Sequence, residues 1–176
     1  MSATLETATM PDVDPSELRR AMGRFTTGVA LVLTETERGP HGATINSLTW
    51  VSLKPPLVLI SLATPSRVAD AVQAAGAYTV SILGARQHRI ATEFAQPGDG
   101  KFDGLPVHRG VTGLPVVPGA LSTLECTVEQ EIRAGDHVIL IGRVHHVTHR
   151  KGDPLVFYSG RFGDFDDPEG ELDIWI

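Results

Sequence analysis

Residues 42–56 read G-A-T-I-N-S-L-T-W-V-S-L-K-P-P, and the fold turns on how their alternation fails. Apolar and polar side chains alternate as in a strand, yet Ala43 and Ile45 mark one face and Leu48 and Trp50 the other. A regular strand cannot change phase. The slip near Asn46-Ser47 therefore implies a bulge or a turn out of the ladder, where backbone N–H and C=O groups lose their strand partners and need others. Thr44, Asn46, Ser47, Thr49 and Ser52 surround the slip with short side chains that donate and accept without filling space. Such a ribbon either lines a site for a flat ligand edged with heteroatoms or bonds its hydroxyls to neighbouring backbone.

Upstream, Asp14-Pro15-Ser16-Glu17 starts a helix, with Asp14 at the N-cap, Pro15 in the first turn and Glu17 at the third position of a capping box. Leu18, Met22 and Phe25 give it an apolar stripe, and Gly28 is read as its end. V-A-L-V-L-T then begins a strand that R-G-P-H-G turns back into the ribbon as a hairpin. Downstream, Pro55-Pro56 stop the ribbon, and L-V-L-I-S-L from Leu57 reads as a central strand buried on both faces. Ser66 or Thr64 can cap a helix that Gly76 terminates. Free N–H groups, the helix dipole and Arg67 would converge there on one anion-binding corner; the plainer reading is a capped surface helix with a solvated arginine.

Beyond it lie a strand, Y-T-V-S-I-L, and a helix over 85–95 with Ile90 and Phe94 turned inward. The glycine-rich stretch around Lys101-Phe102 is either a lid or an ordinary surface loop. From Ala120 two long strands meet at Ala134-Gly135-Asp136, and Gly142 marks a bulge or a close backbone approach. A last strand and a glycine-punctuated loop precede an acidic tail whose final Ile174-Trp175-Ile176 are expected to dock on the body or on a partner subunit.

A chain of 176 residues suits one domain: a mobile lead-in over 1–13, the domain over 14–165 and a tail over 166–176. The net charge of -6, with basic residues scattered, argues against nucleic acid and anionic membranes as partners. No apolar run approaches the ~20 residues that span a bilayer. Cys126 stands alone, so no internal disulfide forms, and M-S-A-T-L-E-T-A-T-M lacks the regions of a signal peptide; a cytoplasmic protein is expected. His145, His146 and His149 are not read as metal ligands, because adjacent strand residues face opposite ways and no cysteine or carboxylate completes a set. No G-x-G-x-x-G follows a strand and no G-x-x-x-x-G-K-[ST] occurs, which disfavours a doubly wound nucleotide-binding sheet. Seven or eight strands, mostly in hairpins, with two or three helices predict a mainly β fold: a closed antiparallel barrel with peripheral helices.

The ribbon with its continuation P-L-V-L-I-S-L, then S-R, F-A with K-F downstream, L-E-C, G-D-H-V-I-L-I-G-R-V and P-L-V-F-Y-S-G-R-F-G, in that order from about Leu18 to Phe165, resembles the flavin reductase-like family with its FMN-binding split β-barrel. The resemblance implies a homodimeric NAD(P)H:flavin oxidoreductase that takes FMN or FAD, uses NADH or NADPH as donor, and supplies reduced flavin to a partner flavin-dependent monooxygenase. It lays the flavin ring along Thr44, Asn46, Ser47, Thr49, Trp50 and Ser52, and the flavin phosphate at Ser61, Ser66 and Arg67. It adds Phe94, Lys101 and Phe102 to the cofactor residues. His137, Tyr158 and Arg161 fall on the nicotinamide side, with His137 positioning the dinucleotide for hydride transfer. Trp50 departs from the small residue common in relatives, and Thr64-Pro65 from their polar or basic pair. Two rivals stay open: a flavin- or haem-holding split barrel without turnover, and a flavoenzyme that keeps its flavin and reduces an organic substrate.

Overall fold

The phase slip is a gap between two strands. In the computed structural model, which describes residues 11–98, 100–105 and 107–165, the ribbon divides into β3 (Gly39–Ile45) and β4 (Thr49–Leu53), as a turn out of the ladder. The tail over 166–176, with its expected docking, and all but the end of the lead-in lie outside the described residues.

The other strands are β1 (Thr27–Gly28), β2 (Ala30–Thr36), β5 (Pro56–Ala63), β6 (Ala77–Ile82), β7 (His108–Arg109), β8 (Pro115–Val116), β9 (Ser122–Ala134), β10 (His137–His149), β11 (Leu155–Tyr158) and β12 (Arg161–Asp164). Three helices accompany them: α1 (Pro15–Met22), α2 (Arg67–Ala75) and α3 (His88–Ala95). The main sheet has seven strands in the order β3-β2-β6-β9-β10-β5-β4, antiparallel throughout, so β3 and β4 lie at its two ends. Flat, such a sheet would hold its ends about 29 Å apart at ~4.8 Å per strand. The residues between Ile45 and Thr49 can span at most about 14 Å. The sheet must therefore curl, and its concave face encloses one core. Val32 of β2, Ile45 of β3, Ile60 of β5, Val80 of β6 and Leu140 of β10 share it with Val68, Ala69 and Val72 of α2.

The curl stops short of closure. No ladder joins β3 to β4 among the described residues, which corrects the expected closed barrel to an open, curled sheet. The cause is local: residues 46–48 cross the seam and their backbone leaves both ladders. A second core, around Leu31, Leu33, Leu83, Phe94 and Leu155, lies between the other face of the sheet, α3 and the small β1-β11-β12 sheet.

Two further expectations are revised. Helix α1 ends at Met22 rather than near Gly28, because Arg24 and Phe25 donate into tight turns and the Gly23 carbonyl accepts from the Ser159 amide at 2.9 Å. Its stripe is bare: Leu18, Met22 and Phe25 are exposed. Strand β5 buries only alternate residues, Val58, Ile60 and Leu62, since only one of its faces meets the core. At Gly142 both sequence readings hold. The β9–β10 register shifts there, and a Cβ would stand 2.1 Å from the Tyr78 hydroxyl.

Glu125, 2 % exposed, fastens the loop between β7 and β8 to the sheet. Its carboxylate accepts from the Val111 amide at 2.9 Å and the Thr112 amide at 2.7 Å, and from the Thr112 hydroxyl. Burial pushes this carboxyl up, but those donors and the nearby His146 hold it below the usual value of 4.5. A depressed carboxyl stabilises the fold above its unfolded value and loses that contribution as pH falls through the folded one. Glu125→Ala is expected to cost about 2 kcal/mol at pH 7 by leaving two part-buried amides without their carboxylate. Urea unfolding checks this, and the gap between variant and parent should narrow at pH values well under 4.5.

Candidate functional site

The linker over 46–48 is held by one side chain. The Ser47 hydroxyl donates to the Ser61 carbonyl at 2.8 Å and accepts from the Ser61 amide at 3.1 Å, so it takes the place a strand residue would fill beside β5. Both groups of a β5 residue beyond the end of β4 are thereby satisfied. The other hydroxyls of the ribbon also serve the backbone: Thr44 donates to the Ala91 carbonyl of α3 at 2.6 Å, and Ser52 accepts from the Lys54 amide at 3.2 Å. Thr44, Ser47 and Ser52 thus each bond a backbone group, as the plainer of the two sequence readings has it. Asn46 and Thr49 remain exposed, with no side-chain hydrogen bond among the described residues. The linker backbone lies outside both ladders and joins no other backbone hydrogen bond among the described residues.

The anion corner follows directly along the chain. Ser66 is the N-cap of α2 and accepts from the Ala69 amide at 3.3 Å, while Gly76, at φ 64°, ends the helix in the left-handed conformation that favours glycine. Arg67 is the first helical residue, so a guanidinium and the free N–H groups of the first turn start at one point. Ser61, which Ser47 grips, is on the strand leading into that helix start. His137 joins them: it pairs with Ala63 across β10 and β5, and the Thr64 amide donates to the Asp136 carbonyl at 2.8 Å. Sequence reading missed Asp136 itself. Its carboxylate, which can only accept, lies 2.7 Å from His137 Nδ1; Nδ1–H is therefore the donor and Nε2 is left to other partners. That hydrogen bond, with the attraction of the ring, holds the Asp136 carboxyl below its usual range.

On the other side of the linker, Asn46 lines a groove of about 670 Å³ with α1 and the β11–β12 turn. Ser159 and Gly160 both have positive φ, 50° and 81°, the signature of a type I′ hairpin, so the Y-S-G-R run sets Tyr158 opposite Arg161 at the tip. Arg24 donates to the Tyr158 hydroxyl at 3.3 Å. Arg19, Arg20 and Arg24 of this groove were not singled out from sequence; the signal was a run of arginines in the last turn of an amphipathic helix and just beyond it.

Phe94, Lys101 and Phe102 stand apart from this constellation. Phe94 is enclosed in the second core over Gly42, where a Cβ would lie 2.8 Å from its ring. Phe102 meets it edge-on at 5.0 Å, and Lys101 Nζ lies 5.8 Å from its ring centre while donating to its carbonyl. Lys101 and Phe102 are half-buried, while Gly98, Gly100, Asp103 and Gly104 around them are exposed. Burial pushes the Lys101 amine below its usual value. Trp50 projects from β4 and is 63 % exposed. His145 sits at a bulge in β10 and pairs with the Thr127 hydroxyl at 2.8 Å, so the alternation assumed there is broken. Among the described residues no three His, Cys, Asp or Glu side chains gather as a metal site.

The family profile described as "Flavin reductase like domain" matches residues 22–166. The chain belongs to the flavin reductase-like family. Among its relatives are the NADH-dependent flavin reductase of a Rhodococcus species, 42% identical over 159 residues (86% of this chain, 87% of the relative), and the reductase component of a 4-nitrophenol monooxygenase of Rhodococcus opacus, 36% identical over 153 residues (87% and 82%). The NADH:FAD oxidoreductase SgcE6 of Streptomyces globisporus, solved with NAD and FAD fragments, superposes with a TM-score of 0.84 at 35% identity, over 92% of this chain and 100% of that one.

The donor set of this flavin reductase-like chain fits a flavin. Unladdered amides and Asn46 can meet a ring edge, and the start of α2 can meet a phosphate. Ser47 holds the two together. Ser47→Ala would leave both backbone groups of Ser61 without that partner, and is expected to cost about 1–2 kcal/mol of stability. Flavin affinity should fall with it, and Ser47→Thr, which keeps the hydroxyl, should restore both in urea unfolding and flavin fluorescence titration.

Proposed function

We propose that the protein is an NADH-dependent flavin reductase that releases reduced FMN or FAD to a separate flavin-dependent monooxygenase. The observation that carries this reading is the contact of Ser47 with Ser61, which sets the open linker beside the Ser66-Arg67 corner and His137 on one end of β5. The relatives' named activities support it, including one described as a monooxygenase reductase component.

When bound, the flavin accepts a hydride that the nicotinamide donates, so the chain needs to supply no acid or base and acts by binding and orienting. The linker amides and Asn46 would hold the ring edge, and their positive ends favour negative charge there. Ser66 and Arg67 would hold the phosphate. His137, its tautomer set by Asp136, would present Nε2 to the dinucleotide, with Tyr158 and Arg161 on either side of the Ser159-Gly160 turn that lines the arginine-rich groove. Thr44, Thr49 and Ser52 shape the ribbon that carries Trp50. Phe94, Lys101 and Phe102 support it from beneath through the contact of Thr44 with α3.

We also infer a homodimer, because the end strand β4 exposes Trp50, Val51 and Leu53 and α1 exposes its whole stripe. A buried lone Cys126 agrees with a cytoplasmic protein.

Anaerobic mixing of protein, FMN or FAD, and NADH should bleach the yellow absorbance over many turnovers, with NADPH as the comparison donor. Unchanged absorbance would leave a carrier without turnover. Flavin retained through gel filtration, together with turnover of an organic substrate, would favour the flavoenzyme rival. His137→Ala is expected to raise KM for NADH about tenfold, the worth of roughly one hydrogen bond, while flavin Kd stays within about twofold. Steady-state kinetics and flavin titration of the same sample separate the two effects.

A further inference from the structure

The small sheet ends in an uncovered strand. In the order β1-β11-β12, β12 pairs with β11 on one side and with no strand on the other among the described residues. Tyr158 and Arg161 close a two-residue hairpin as a hydrogen-bonded pair, and bonding alternates from there. Gly163 therefore also turns its backbone groups to β11, while Phe162 and Asp164 turn theirs to the bare edge. No other backbone hydrogen bond uses them among the described residues. Such an edge can template one more strand.

The side chains along it are open as well. Phe165 is 57 % exposed, and a Cβ on Gly163 would meet nothing within 4 Å. The half-buried Phe162 lies opposite Phe157 at the rim of the second core, with their ring centres 5.6 Å apart. A row of two aromatic rings stops at this strand.

The sequence that follows has the pattern of the missing neighbour. Asp167-Pro168-Glu169-Gly170 carries the preferences of a type I turn, with Asp first, Pro second and Gly fourth. Glu171 to Ile176 then alternates, with Leu172, Ile174 and Ile176 on one face and Glu171, Asp173 and Trp175 on the other. Residues 167–176 lie beyond the stretch matched by the family profile, so the inference rests on this chain's own sequence and not on the flavin reductase reading.

We propose that residues 171–176 return along β12 as a fourth strand of the small sheet. The parity of β12 sets the register: a four-residue loop closed by Asp166 and Glu171 gives Asp164 and Phe162 hydrogen-bonded partners in Asp173 and Trp175. Loops closed by Asp167 would turn the bonding groups the wrong way. In this register Leu172 covers Phe165, Ile174 takes the empty place beside Gly163, and Trp175 adds a third ring to the Phe157-Phe162 row. Asp164 opposite Asp173 is an unfavourable pair, and Arg86, which lines a cleft with Asp164 and Phe165, brings a cation near it.

Hydrogen exchange of the full chain, read at the Phe162 and Asp164 amides, tests the proposal. Acrylamide quenching of Trp175 accompanies it in a Trp50→Phe background, where Trp175 is the only tryptophan. Each measurement is repeated with Asp173→Pro, which removes the amide that would bond to Asp164, and with Leu172→Asp, which sets a charge over Phe165. The two amides are expected to exchange at least about tenfold more slowly in the parent than in either variant. Quenching of Trp175 should be about threefold weaker before either substitution is added than after it. Both effects should persist on dilution. Amides that exchange, and a Trp175 that is quenched, as freely without the substitutions as with them would overturn the proposal. Protection that survives both variants would also overturn it, since something else would then cover β12. So would protection that fades as subunits separate on dilution, which would give the edge to a second copy of the chain.

Discussion

A short linker joining the opposite ends of a seven-stranded sheet is the constraint from which this molecule follows. The chain between Ile45 and Thr49 is too short for a flat sheet, so strands that lie six places apart must bend round a common interior. That interior is filled in the expected way, by alternate residues of each strand and by one face of α2. At the seam, however, the backbone cannot both cross and pair. One hydroxyl, that of Ser47, resolves the conflict by bonding to the amide and carbonyl of Ser61.

The same seam explains how the site is composed. Crossing it strips residues 46–48 of ladder partners, and the β5 strand they lean on runs straight into the α2 helix start. His137 arrives at that corner through the β5–β10 register, and Asn46 also faces the groove bounded by α1 and the Y-S-G-R turn. The polar lining around Arg19, Arg20 and Arg24 thus adjoins the crossing through Asn46.

What could be read from the sequence was local. The period-2 slip at Asn46-Ser47, the caps of α1 and α2, the paired long strands and the Ser66-Arg67 helix start all depend on neighbours within a few positions. What escaped depended on distant pairs. Closure was expected because hairpin counting does not report whether end strands meet, and α1 was drawn too long because the Gly23–Ser159 bond that ends it spans most of the chain. Asp136 behind His137, Glu125 beneath the 110–112 loop and Tyr78 over Gly142 are likewise contacts of the fold. Phe94 read correctly as inward-facing, and its enclosure is what sets it apart from residues that could touch a ligand.

The grip of Ser47 on Ser61 couples occupancy to the integrity of the curl. Any molecule that engages the linker from outside must find the seam drawn together, since a chain with its sheet unrolled presents neither the unladdered amides nor the adjoining helix start in one place. Binding energy is then shared with folding, and saturation at a hundred times Kd adds about 2.7 kcal/mol to the native state. For a reductase that lets its flavin go, resistance to heat then rises and falls with occupancy and becomes a gauge of it.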